Sequence, residues 1–308
     1  MAGKSFDTPI LLVIFNRPDL TRQVIDRLRE IKPTKLYVGA DAPRPHKAGE
    51  EERCRQARAI ATTIDWPCQV KTLFQSKNLG CQYGPFEAID WFFKYETEGI
   101  ILEDDVVADV SFFEFCRQLL ERYRHDTRIA SISGNNFQFG RRRTKDSYYF
   151  SRYSHTCGWA SWRRSWQLYD LKIKKWPELR AGGWLNDVLH SQVAVRYWRL
   201  IFDGIYHQKI TTAWDYQWTF MCWSNSMLSI LPNVNLIKNI GFGVEGATHT
   251  HRQNKFSRIP VERMAFPLQH PSFVIEDLEA DSRTQRNNYP LWKEVGVRVL
   301  NHLKFPRN

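Results

Sequence analysis

Between residues 10 and 123 the chain alternates short apolar runs with amphipathic stretches. ILLVIF, from Ile10 to Phe15, is apolar without interruption, which suits a parallel strand covered on both faces. In LTRQVIDRLREI the residues Leu20, Val24, Leu28 and Ile31 recur at helical spacing, and Pro33 ends the helix. KLYVGADAPR predicts a second strand that ends at Asp41. A strand, a helix and a strand in that order predict an α/β sheet with right-handed crossovers. EEERCRQARAIATTI then reads as a helix and CQVKTLFQ as a third strand. NLGCQYGPFEAIDWFFKY reads as a glycine-containing loop entering an aromatic helix, and GIILEDD as a fourth strand.

The end of that fourth strand poses a physical problem. Glu103, Asp104 and Asp105 stand side by side, and adjacent carboxylates repel one another and resist burial. In open α/β sheets ligands bind just outside the carboxyl ends of the strands, so the position fits a ligand site. Carboxylates so placed suit a hard divalent cation, Mn²⁺ or Mg²⁺, held through oxygen and shared with substrate phosphates. A solvated acidic turn leading into the next helix accounts for the same three residues. That helix is expected over residues 109–123, with Ser111 and Glu114 matching an S-x-x-E capping box. Its buried face would carry Phe112, Cys116, Leu119, Leu120 and Tyr123. RIASISGNN predicts another strand. Residues 140–210 are less regular and rich in Trp, TAWDYQWTFMCWSN opens a helix, and LSILPNVNLIKNIG holds a last strand region.

Composition adds limits. At 308 residues, 43% of them apolar, the chain can bury a substantial core. The aromatic share of 14% fits shaped pockets and extra core equally. A net charge of +11 favours anionic partners: nucleic acid, acidic membrane surfaces or phosphorylated substrates. The cations are dispersed, the densest run being Arg141–Arg143, and no nucleic-acid motif is present, so charge alone leaves the partner open. The six cysteines have neither CxxC nor zinc-type Cys/His spacing, so reduced thiols and a cytoplasmic location are expected. MAGKSFDTPILLVIFNRPD lacks a secretory pattern, and its apolar run is far short of the roughly 20 residues of a membrane span. The expectation is a soluble protein, or one bound at the inner face of a membrane surface.

Five segments carry a family resemblance. ILEDDVVADVSFFEFC, placed after two β-α units, resembles the metal-binding segment of GT-A-fold glycosyltransferases. It is most similar to the inverting N-acetylglucosaminyltransferase I type, with wider kinship to family 2 glycosyltransferases. FNRPD resembles their first nucleotide-contacting loop, and GADAP puts an acid where they contact the base. SKNLGCQYGPFEAI resembles their N-x-G-x-x-x-G/A loop and helix. HTCGWASWRRSW resembles the G-W-x-x-W-R-x-x-W segment of bacterial relatives that build surface polysaccharides. The likeness spans roughly residues 8–250 and rests on the order and spacing of segments that are weak singly.

The resemblance implies a Rossmann-like GT-A domain over residues 1–252, a mixed sheet flanked by helices. Residues 1–107 would form its nucleotide-sugar half and 108–252 its acceptor half, with a wrapping tail over 253–308. It implies Asp105 as metal ligand, Asp104 on the donor ribose, and Glu103 toward the donor sugar or acceptor. Asn16, Arg17 and Asn78 would meet the donor, and Asp41 would accept from the base unless it is a plain turn carboxylate. Asp215, in AWDYQW, would be the general base of an inverting transfer, with a helix N-cap as its other reading and Asp187 in reserve. His249, beside His251 in GATHTHR, is a second candidate metal ligand. Trp159, Trp162 and Trp214 would line the acceptor groove, with core aromatics as the other reading of Trp159 and Trp162. The partners implied are a nucleotide-sugar donor, most simply a UDP-sugar, and a glycan or lipid-linked acceptor. Peripheral membrane association is compatible with this, and nucleic acid is not expected. Two other readings compete. A nucleotidyltransferase acting on a sugar phosphate would usually carry a Gly-rich phosphate loop, which FNRPDL lacks. A non-enzymatic basic protein binding glycan or nucleic acid would not depend on metal or on Asp105.

Overall fold

The computed structural model describes residues 6–243 and 255–290. Its first part repeats strand and helix: β1 (Ile10–Ile14), α1 (Pro18–Ile31), β2 (Lys35–Ala40), α2 (Glu50–Thr62), β3 (Gln69–Phe74), α3 (Gly80–Tyr95) and β4 (Glu98–Glu103). Pro18 starts α1 with its φ already fixed, and the helix stops at Lys32, whose left-handed backbone lets its N–H donate to Leu28 O. Then come β5 (Val106–Ala108), α4 (Val110–Arg122), β6 (Ile129–Ser133), β7 (Tyr148–Ser151), β8 (Trp159–Trp162), α5 (Arg163–Trp166), α6 (Trp176–Ala181), α7 (Leu185–Val188) and α8 (Gln192–Tyr206). Last are α9 (Asp215–Ser224), β9 (Leu228–Pro232), β10 (Ile237–Asn239), a 3-10 turn at Lys255–Arg258 and α10 (Leu278–Asn288).

Eight strands form one mixed sheet in the order β3-β2-β1-β4-β8-β6-β9-β7. β1 to β4 run parallel, β8 is antiparallel to both β4 and β6, β9 is parallel to β6, and β7 closes the edge antiparallel to β9. The α/β class expected from the sequence, a mixed sheet flanked by helices, is what the chain forms. β1 shows why its sequence is apolar throughout: Ile10, Leu12 and Ile14 enter one core layer with α1 and α4, while Leu11 enters the other with α3. Gly39 keeps the second layer tight, because a Cβ there would lie 2.6 Å from Ala88 Cβ of α3. A separate two-stranded ribbon pairs β5 with β10, with Val106 opposite Asn239 and Ala108 opposite Ile237. It ties the segment after β9 to the chain that leaves the acidic triplet.

The start of α4 departs from the expected capping box. Asp109 is the N-cap, its carboxylate accepting from Ser111 N (2.8 Å) and Ser111 Oγ (2.5 Å). Ser111 Oγ in turn accepts from Met264 N, and Glu114 pairs with Arg117 one turn on. Asp in the extended N-cap position reaches the free first-turn N–H groups directly, which leaves Ser111 to tie the later chain to the helix. The Trp-rich stretch supplies two sheet strands and much of the second core layer, where Trp159, Trp166, Trp198, Trp218 and Trp223 meet. Residues 255–290 cross that half of the molecule: Phe150 bridges to Glu276, and Gln285 Oε1 accepts from Tyr153 OH (2.7 Å) and Trp198 Nε1 (2.9 Å).

Candidate functional site

The carboxyl ends of β1, β2 and β4 open into a cleft of about 500 Å³. From the strand tips it is lined by Asn16 and Arg17, Asp41 and Arg44, and Glu103 to Asp105; Asn78 and Gly80 come from the entry to α3. Thr212 to Asp215 and Asn239 close it from the second half. Three carboxylates tolerate this place because a cation is built among them. Arg17 bridges Asp104 through Nη2 and Asp105 through Nη1, the latter at 2.9 Å. Asp104 is buried and also accepts from Phe15 N at 3.2 Å. Burial would lower the Arg17 pKa, but the charges of Asp104, Asp105 and Glu103 outweigh it and raise it. Burial raises Asp104 while Arg17 opposes the rise. Glu103 is pushed up to about 8, first by burial and then by Asp105, with Asp104 and Asp215 adding and Arg17 opposing.

Asp105 is held from behind. Its carbonyl accepts from Ile240 N at 2.8 Å, and the chain at Gly241 comes so close that a Cβ there would lie 2.3 Å from Asp105 Oδ2. Asp105 Oδ1 is buried and accepts from no described group. Among the described residues no three His, Cys, Asp or Glu side chains form a ready-made metal cluster. The orphaned Oδ1 nevertheless fits an oxygen-seeking divalent cation, because a buried carboxylate oxygen without a partner is costly and a hard cation would satisfy it. His249 and His251 lie outside the described residues.

The other residues expected at the donor are engaged by neighbouring protein groups. Asp41 accepts from Ala42 N (2.8 Å), Leu79 N (2.8 Å), Gly80 N (2.9 Å) and Asn78 Nδ2 (3.1 Å). Its carboxylate therefore organises the turn into α3, and Asn78 also donates to Ala42 O at 2.6 Å. The pair shapes the cleft wall through mutual hydrogen bonds, and Asp41 lines the cleft while it does so. Burial raises the Asp41 pKa against those bonds. Asn16 is buried and donates to Glu50 Oε1 at 2.8 Å. Glu50, wholly buried at the start of α2, also accepts from Arg44 N (2.6 Å) and Arg44 Nε (3.0 Å). Arg44 and Glu50 were not anticipated. The available signal was the place of Arg44 three residues after Asp41 at a strand tip; the EEE run gives no sign that its first member is buried.

Asp215 is the first residue of α9 and faces the cleft close enough to Glu103 to raise its pKa. The N-cap of α9 is Trp214, without a side-chain cap, so Asp215 is not the cap. Trp214 lines the cleft, packs against Trp159 at 5.8 Å between ring centroids, and its carbonyl accepts from Tyr169 OH at 2.9 Å. Trp159 and Trp162 do not line a groove. Each is 1% exposed, Trp159 beneath Trp214 and Trp218, Trp162 in the opposite layer with Nε1 donating to Leu120 O at 3.2 Å. They sit on β8, a central strand covered on both faces, which leaves no solvent side for either ring. Asp187 is exposed on α7 and takes no part in the cleft, which removes the reserve candidate.

No protein-family model matches this chain, and no curated protein does. Among solved structures, HddC from Yersinia pseudotuberculosis is similar at 10% identity over 51% of this chain and 77% of its own, with a TM-score of 0.32. Mouse xyloside xylosyltransferase 1 in its apo form reaches 12% identity over 70% and 81%, with a TM-score of 0.34. Mannose-1-phosphate geranyltransferase from Thermus thermophilus reaches 11% over 75% and 75%, with a TM-score of 0.33. Likenesses this distant define no role for this chain.

Proposed function

We propose that the protein is a metal-dependent, inverting glycosyltransferase of the GT-A type, moving a sugar from a nucleotide-sugar donor to a hydroxyl of a glycan or lipid-linked acceptor. One observation carries the reading: a single cleft at the strand tips holds Glu103, Asp104, Asp105 and Arg17, and Asp215 faces them from another element. A UDP-sugar is the donor expected first.

Asp105, through the Oδ1 that accepts from no described group, would hold Mn²⁺ or Mg²⁺, with His249 as the further candidate ligand. When bound, such an ion neutralises charge on the departing diphosphate. Asp104 takes the donor ribose, and Glu103 faces the transferred sugar or the acceptor. Arg17 supplies a fixed positive charge beside the phosphates. Asp215 takes the proton from the acceptor hydroxyl as that oxygen bonds to the anomeric carbon and the bond to the diphosphate breaks. Attack from the face opposite the leaving group inverts the anomeric centre. Trp214 gives the sugar an apolar wall and keeps water from the same carbon.

The test is incubation with a panel of nucleotide sugars and Mn²⁺, with and without chelator and candidate acceptors, measuring nucleoside diphosphate release. Release that the chelator abolishes is the expected result. No metal-dependent release from any donor overturns the reading, and a product with retained anomeric configuration overturns inversion.

A further inference from the structure

Four bulky apolar side chains of the second half project into solvent: Phe273 is 74% exposed, Ile275 69%, Val193 57% and Leu278 52%. Val274 packs against the core while Phe273 and Ile275, on either side of it, face away. Leu278 opens α10 and lines a cleft of about 310 Å³ with Val188, Leu189 and Ala194. Val193 lies in the same first turn of α8. Glu276 Oε1 stands 4.0 Å from His190 Nε2, so the segment holding Ile275 adjoins the entry to α8. Large side chains exposed together in this way mark an interaction surface more often than scattered single ones do.

Charge selects the occupant. The acids of this face are matched: Glu276 by Arg152 (2.5 Å), Asp277 by Arg143 (3.1 Å) and Glu279 by Arg143 (2.9 Å). Asp281 is buried and accepts from Ser151 Oγ and Arg152 N. Arg286, which lines the cleft, and Arg196, one turn along α8 from Val193, make no ion pair with any described residue. Unmatched cations around protruding apolar tips suit a surface that offers dense negative charge above hydrocarbon.

We propose that this face, from the first two turns of α8 to residues 273–286, docks on an anionic lipid bilayer. The apolar tips enter the boundary between headgroups and acyl chains, and Arg196 and Arg286 meet lipid phosphates. The inference is independent of the transfer chemistry. Co-sedimentation of the full chain with vesicles of phosphatidylcholine alone, or of equal parts phosphatidylcholine and phosphatidylglycerol, tests it at low and high salt. Binding is expected only to the anionic vesicles, weakening as salt rises. Each arginine near such a surface contributes about fivefold to partitioning, so the double variant Arg196→Gln/Arg286→Gln should lose about tenfold or more. Phe273→Ser/Ile275→Ser should lose binding while keeping the unfolding transition of the parent, since both side chains are already in water. Absence of binding to anionic vesicles, or variants that bind like the parent, overturns the proposal. So does a dimer in analytical ultracentrifugation that Phe273→Ser/Ile275→Ser dissolves, because the face would then cover a second copy.

Discussion

A guanidinium between two carboxylates sets the electrostatics of the cleft. Arg17 is the reason Asp104 can be buried at a strand tip, and removing it leaves a buried charge whose one remaining donor among the described residues is Phe15 N. Arg17→Ala should cost about 3 kcal/mol in denaturant unfolding, the range for breaking a buried pair from one side. A loss below about 1 kcal/mol would mean the pair behaves like an exposed one. Asp215 makes a different prediction because its postulated role is chemical. Asp215→Asn should lower kcat by about 10²–10⁴-fold with little change in donor KM or stability, and equal turnover by the two proteins would remove the general-base role. The place of the acids and Arg17 at one cleft was legible because motif and strand tip coincide in the sequence. Trp159 and Trp162 were not, because a tryptophan reads alike in a groove and in a core, and only the central place of β8 decides between them. Asp41 was placed correctly in the cleft, but its engagement by three backbone N–H groups and Asn78 depends on how the 78–80 turn folds back, which no spacing rule contains.

At the scale of elements, hydrophobic period located the first four strands and three helices because each is covered on a face that repeats with its own geometry. Local polar chemistry was harder to read. The start of α4 offers two candidate caps, Asp109 and Ser111, two residues apart, and propensity accepts either. The fold favours Asp109 because Ser111 Oγ is needed to accept from Met264 N, a contact from far along the chain. Asp109→Ala should therefore cost about 1 kcal/mol of stability. Glu114→Ala should cost only about 0.3 kcal/mol, the worth of a helix-surface pair with Arg117. Thermal unfolding of the two variants separates the arrangements: a Glu114 loss as large as that of Asp109 would restore the capping box.

At the scale of the whole molecule, the chain after residue 255 supplies side chains that the second half needs. Gln285 receives Tyr153 and Trp198, and Asp281 receives Ser151 Oγ and Arg152 N, so a stretch that is polar in sequence is partly interior in the fold. Composition could not reveal this, since hydrogen-bonded Asp and Gln look the same buried or exposed. Asp281 gives the arrangement a pH signature. Burial pushes its carboxyl up to about 7 from an ordinary 3.8, with Glu276 adding to the rise and Ser151 and Arg152 opposing it. The folded state therefore binds the proton more tightly than the unfolded chain. The contribution of Asp281 to stability is complete below about pH 4 and declines as pH rises toward 7, by at most about 1.4 kcal/mol per unit, then levels off. Asp281→Asn cannot titrate, so its stability should lack that decline. Subtracting the stability–pH curve of the variant from that of the parent should give a difference that falls between pH 4 and pH 7. A flat difference would mean that Asp281 is ionised as readily in the fold as in the unfolded chain, and that the contact between α10 and the end of β7 is open to water.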